Sequence, residues 1–161
     1  MKYLNQIELA RHHWAELREA SGIADNIPSA ILELLKSSRP DEAENAYWKI
    51  ENHVVVQGQL FESAEYVVPV LLTSLLQKQQ KWVKISILEL LFQIVSGEPH
   101  EEEISKGNRD LGERCREKAR EGLWILYQEM MFGERYAAKD VLEVIEKDPH
   151  RLSSILMAFD S

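Results

Sequence analysis

Ile27-Pro28-Ser29-Ala30-Ile31-Leu32-Glu33-Leu34-Leu35 returns 41 residues later as Val68-Pro69-Val70-Leu71-Leu72-Thr73-Ser74-Leu75-Leu76. Apolar residues hold matching places in the two copies: Ile27 with Val68, Ala30 with Leu71, Ile31 with Leu72, Leu34 with Leu75 and Leu35 with Leu76. Their spacing is that of a helix buried along one face. A lag near 40 with helical content points to paired-helix repeats, which bury their faces only by stacking on neighbours. The same lag sets Tyr47 on Leu88, Ile50 on Leu91 and Val54 on Val95. A lag of 54 sets Leu88 on Leu142 and Leu91 on Ile145, and an insertion at residues 97–108 accounts for the longer step.

Working outward, a first helix is predicted over residues 3–20, with Ile7, Ala10, Trp14 and Leu17 as its stripe and Ser21-Gly22 as its end. Asp25 or Asn26 caps the second, Pro28 sits in its first turn, and it fades at Ser37-Ser38. A third covers residues 42–57 with Ala43, Ala46, Ile50 and Val54 inward, and Gly58 breaks it. Ser63 is a candidate cap for the fourth, in which Pro69 predicts a bend or a late start. The fifth, residues 81–96, is apolar almost all round, as suits a helix lying between neighbours. Residues 97–108 read as a loop or a short acidic turn. A long helix follows over residues 110–132, and two more over residues 136–147 and 151–159, parted by Asp148-Pro149. The expected fold class is all-α. Its architecture is a right-handed α-α superhelix of about four antiparallel pairs, at residues 3–37, 41–78, 81–132 and 135–160, in one domain spanning residues 1–161. Leu152, Ile155, Leu156 and Phe159 in the last helix suit either capping the array or pairing between chains.

The stretch Ala46-Tyr47-Trp48-Lys49-Ile50-Glu51-Asn52-His53-Val54-Val55-Val56-Gln57-Gly58-Gln59-Leu60-Phe61-Glu62-Ser63-Ala64 resembles bacterial HEAT-like (armadillo-type) helical-repeat proteins. In these a helix with a central tryptophan runs into a Gln-Gly turn, an aromatic, a small residue and a Val-Pro-x-Leu-Leu helix. Trp48, Gln57-Gly58, Phe61, Ala64 and Val68-Pro69-Val70-Leu71-Leu72 carry the match, which is specific over about 30 residues and looser elsewhere. The resemblance implies an α-α superhelix. It also implies a binding role, because such proteins are often immunity proteins that neutralise a toxin from a neighbouring cell. A general interaction or regulatory scaffold without a toxin partner is the alternative. Trp48 and Phe61 are expected in the core, Gly58 at a sharp turn, and His53 and Gln57 bonded to loop backbone or lining a groove.

Composition narrows the partner. The 161 residues are 45% hydrophobic, enough for a core, and the net charge is −8. That balance argues against unaided nucleic-acid binding, which needs cations to displace counterions from phosphates, and against anionic membrane surfaces. A basic protein partner fits better. No run reaches the roughly 18 apolar residues of a membrane span, and the amino-terminal residues carry no hydrophobic signal core. Cys115 is the only cysteine, so no internal disulfide forms and a cytoplasmic location is expected. Arg114 and Arg116 beside it could lower its pKa, but a small apolar residue on a helix face is the simpler reading.

Chemistry-bearing residues are sparse. His12 and His13 point apart on a helix, and His12 with Glu8 or Glu16 has ligand spacing but no third ligand. His100 beside Glu101-Glu102-Glu103 could attract a cation in a solvated loop. Phosphate loops and nucleophile motifs are missing, so no catalytic residue, metal or cofactor is expected and the chain reads as no enzyme. Acidic blocks stand out instead. Asp41, Glu42, Glu44, Glu51, Glu62 and Glu65 are set against Lys49 alone, and Glu98, Glu101, Glu102 and Glu103 crowd the insertion. The expected docking residues are Glu51, Glu62, Glu65, Glu98, Glu101, Glu102 and Glu103, lining one acidic face that covers the basic cleft of a toxin domain, for example a nuclease.

Overall fold

The computed structural model describes residues 2–161, and the chain is mostly helical. A short α1 (Leu4–Ala10) leads through a 3-10 turn (Trp14–Glu16) to a hairpin of β1 (Arg18–Glu19) and β2 (Gly22–Ile23). Helices α2 (Ile27–Leu35) and α3 (Pro40–Val54) follow, then a second hairpin, β3 (Val55–Val56) with β4 (Gln59–Leu60). Next come α4 (Ala64–Ser74) and α5 (Lys81–Val95), β5 (Glu98–Pro99) and α6 (Glu101–Ser105). The chain closes with α7 (Leu111–Arg120), α8 (Leu123–Phe132), α9 (Arg135–Ile145) and α10 (Pro149–Asp160).

The helices between residues 27 and 95 form where the apolar spacing places them. Pro28 and Pro40 sit in the first turns of α2 and α3, where a missing N–H costs nothing. Helix α4 starts at Ala64 and runs through Pro69 as one helix, so the start is not delayed. Ser63 precedes it but does not cap it with its side chain. Helix α5 buries Val83, Ile87, Leu88, Leu90, Leu91, Ile94 and Val95 and packs against α3, α4, α7 and α9. Each such leucine or isoleucine contributes about 1.5–3 kcal/mol by leaving water, which makes α5 the centre of the core.

Two of the helix pairs related by the sequence lags lie side by side, α3 on α5 and α5 on α9, whereas α2 and α4, which carry the opening repeat, do not pack closely on each other. The strongest pairs are α2 with α3 and α8 with α9, while α1 packs chiefly on α4. Pairing is therefore offset by one helix from the expected 3–37, 41–78, 81–132 and 135–160 blocks, because a hairpin stands where the first helix was predicted to continue. That helix ends at Ala10. Trp14 folds back to donate its indole N–H to the Leu9 carbonyl at 2.7 Å, and Ile7 and Ala10 are exposed. The buried polar residue Asn5 docks α1 instead, donating to Ser74 Oγ at 3.1 Å and accepting from Gln77 at 2.6 Å.

Two further differences bear on the site. Residues 110–132 form two helices, broken at Gly122, where a Cβ would come within 2.7 Å of Leu72 on α4. Residues 97–108 are no loose loop: β5 adds in parallel to the second hairpin, with Glu98 N–H donating to the Gly58 carbonyl at 3.0 Å and His100 N–H to that of Leu60 at 3.0 Å. The first hairpin joins the same end through Ser63 N–H to the Arg18 carbonyl at 3.0 Å and Ala20 N–H to the His53 carbonyl at 2.8 Å.

Candidate functional site

The hairpin end gathers four of the seven carboxylates expected to dock a partner, and each already meets an arginine. Glu103 is 1% exposed and accepts two bonds from Arg18, at 3.0 and 2.7 Å. Glu62 lies 3.1 Å from the same guanidinium, Glu65 3.1 Å from Arg114 and Glu98 3.2 Å from Arg116. Burial alone would raise the pKa of Glu103. The bonds from Arg18, Asn108 and the Glu62 N–H outweigh it and hold the carboxyl below its usual range. These groups tie the hairpins together. Glu101 and Glu102 are exposed on α6, and Glu51 sits elsewhere, on α3. The expected acidic face is thus divided by arginines that lie far off in the chain.

His100 is drawn into structure as well. Its Nδ1 accepts from the Glu102 N–H at 3.1 Å at the start of α6, and its ring stacks on Phe61 with centroids 4.9 Å apart. Phe61 is buried as expected. His12 sits within 3.4 Å of Glu8 and edge-on to Tyr66 at 4.9 Å. His53 contacts Glu19 and, with Lys49 and Glu33, lines a cleft of about 330 Å³. Lys49 and Glu33 already neutralise each other at 2.9 Å. Among the described residues no group of three or more His, Cys, Asp and Glu side chains is placed to hold a metal ion.

A different surface keeps its negative charge. Helices α3 and α5 present a groove of about 260 Å³ lined by Pro40, Glu44, Tyr47, Trp48, Trp82, Ile85, Ser86 and Glu89. Trp48 is not core: it is 46% exposed and stands edge-on to the buried Tyr47, ring centroids 5.1 Å apart. Trp82 is half-buried on the opposite wall, its indole N–H 3.4 Å from the Ser37 carbonyl. Trp48 and Glu89 occupy matched positions at the 41-residue lag, so repetition sets an indole beside a carboxylate.

Glu44, Glu51 and Glu89 make no ion pair among the described residues. Glu51, one turn beyond Tyr47, has an oxygen buried without a partner. Burial pushes its pKa up, the hydrogen bond with Tyr47 pulls it back in part, and the charge of Glu89 adds a lesser push upward. Burial also raises the Tyr47 hydroxyl, followed by the charges of Glu51 and Glu89. Like charges held together beside aromatic walls are relieved by a cation, which gains both carboxylate and ring contacts. The sequence reading counted Glu44 and Glu51 in an acidic block, did not single out Glu89, and placed Trp48 inside.

Comparison with protein-family models, with curated proteins and with solved structures gives no match to this chain. The α3–α5 site is an open groove with aromatic walls and two carboxylates.

Proposed function

We propose that this chain is a non-enzymatic, HEAT-like α-α superhelical protein of the immunity type, working in the cytoplasm. It binds a basic protein partner, a toxin domain from a competing cell, and blocks the toxin's active cleft. The observation that carries the reading is the pair Glu44 and Glu89, without ion-pair partners among the described residues, beside the two tryptophans of the α3–α5 groove. The net charge of −8 supports it, since complementary fields speed encounter and disfavour wrong partners. The side-by-side order of α3, α5 and α9 supports the repeat reading, because matched positions then share a face. A nuclease cleft, which offers lysines and arginines to phosphates, has the matching charge. Inhibition is steric and electrostatic and uses no cofactor. No helix among the described residues is long and apolar enough to cross a membrane.

The first test is gene context, which should place a toxin-like reading frame directly before this chain's own, and the second is binding to the purified product of that frame. A one-to-one complex that weakens with salt is expected. Glu44→Lys with Glu89→Lys should weaken it by about a hundredfold, near 2.7 kcal/mol. Glu101→Lys with Glu102→Lys should change it less than about threefold. Equal effects of the two pairs, or none from the first, would remove the α3–α5 face as the docking surface.

A further inference from the structure

We infer that the Trp48–Trp82 groove is a pocket for one arginine side chain of the partner. This rests on the reading of the α3–α5 face as the docking surface and adds what the face selects. The chain itself shows the kind of site required. Arg151 lies 5.3 Å from the Trp124 ring centroid while its guanidinium binds Glu146 at 2.8 and 2.7 Å. Arg135 lies 3.8 Å over the Phe159 ring and pairs with Asp160 at 2.5 Å. Both places combine a flat aromatic face, a carboxylate and a guanidinium.

The groove repeats the first two parts and lacks the third. Helix α3 contributes Glu44 and Trp48 one turn apart, and α5 contributes Trp82 and Glu89 two turns apart. No residue lining the groove is a cation. The nearby cations are engaged or set aside: Arg39 pairs with Asp41 and Glu42, Lys49 with Glu33, and Lys81 is exposed outside the lining. Guanidinium fits this geometry better than ammonium. It is planar, stacks on indole, sheds water more easily and can meet carboxylates on two edges at once. Its apolar stem suits Ile85 and the Pro40 ring, which also line the groove. Tryptophan and arginine are also the residues that most often dominate the energetics of an interface.

The chain has four tryptophans, and their indole N–H signals report on separate places: Trp14 by α1, Trp48 and Trp82 in the groove, Trp124 on α8. Titration with acetyl-Gly-Arg-Gly-amide should shift the Trp48 and Trp82 signals and leave those of Trp14 and Trp124 in place. The citrulline counterpart, equal in shape but uncharged, should shift none, and the lysine peptide should need a several-fold higher concentration. Glu44→Gln with Glu89→Gln should weaken arginine binding at least about tenfold. Both positions are exposed, so the variant keeps its fold, which an unchanged Trp14 signal verifies. Equal response to citrulline or to lysine, or a response confined to Trp124, overturns the arginine pocket. If the basic partner still docks on α3–α5 in that case, the docking reading stands alone. If the peptide binds while the partner ignores Glu44 and Glu89, the docking reading falls and the pocket remains.

Discussion

Arg18, on the first hairpin, grips Glu103, 85 residues further along, through two hydrogen bonds of 3.0 and 2.7 Å. Between them stands the second hairpin, whose Glu62 accepts from the Arg18 N–H at 2.9 Å and donates its own N–H to Glu103 at 3.3 Å. Asn108 completes the Glu103 shell at 2.8 Å. One buried carboxylate thus joins three successive turns of the chain, and the carboxylates there hold the hairpins together.

Removing the cation from this cluster should cost more than removing the anion. Arg18→Met leaves Glu103 charged, buried and facing Glu62, which should destabilise the fold by about 3–5 kcal/mol. Glu103→Gln leaves Arg18 about one-third exposed and still paired with Glu62, with an expected loss of about 1–2 kcal/mol. The double change Arg18→Met, Glu103→Met should recover part of the first loss, since no lone charge remains. Urea unfolding of the three variants checks the order. A Glu103→Gln variant weaker than Arg18→Met would show that the arginine is dispensable.

Acid should loosen the carboxyl-terminal helix first. Arg151 is the main cause that holds Glu146 down to about 2, against burial, with help from the Tyr127 hydroxyl at 2.6 Å and the Asp148 N–H at 3.0 Å. A carboxylate depressed in the folded state adds stability that is complete above its ordinary value of 4.5 and is lost as pH falls toward 2. Glu51, whose pKa is raised, acts with the opposite sign and favours the fold as acid protonates it. Stability should therefore fall between about pH 4.5 and 2, and Glu146→Gln should make that fall shallower while lowering stability at pH 7 by about 1.5–3 kcal/mol. Trp124 fluorescence follows the loss, because Arg151 packs on its ring. Parallel acid curves for the two proteins would refute the assignment.

Helices α2 to α5 were legible because long apolar periodicities survive any tertiary context, and the 41-residue lag marks real neighbours in α3 and α5. The hairpins were not, since strands of two residues are too short to display alternation. Their remaining trace is a polar residue before glycine: Ser21-Gly22, Gln57-Gly58 and Ser96-Gly97. Helix α1 misled because polar Asn5 takes the inward place and Ile7 does not. The acidic blocks show a similar limit of sequence reading. A sum of local charge overlooks arginines that arrive from 85 residues away at Glu103 and 49 at Glu65. It equally overlooks two tryptophans brought together from separate helices.

The turn of the second hairpin can be improved. Gln57 and Gly58 both have positive φ, 52° and 78°, as a two-residue type I′ turn requires. Glycine adopts this freely, whereas glutamine carries a Cβ penalty that asparagine partly avoids. Gln57 is exposed and makes no side-chain hydrogen bond among the described residues. Gln57→Asn should stabilise by about 0.5 kcal/mol and Gln57→Val destabilise by about 1–2 kcal/mol. Thermal melts that rank valine at or above glutamine would contradict the strained turn.

Cys115 sets two opposing influences against each other, and a chemical probe reads the winner. Arg114 and Arg116 favour the thiolate, but burial comes first and, with Glu65 and Glu98, pushes the thiol up to about 12. The side chain is wholly enclosed on α7. A thiol with that pKa is almost entirely protonated at pH 8, whereas in the unfolded chain it titrates near 8.5. Labelling by a disulfide reagent at pH 8 should therefore be roughly a thousandfold slower in the native protein than in denaturant. The residual native rate should follow the opening of the helix, so it should rise in Arg18→Met about tenfold for each ~1.4 kcal/mol of stability lost. Fast native labelling, insensitive to that variant, would instead mean that the two arginines outweigh burial and that Cys115 is a reactive thiol.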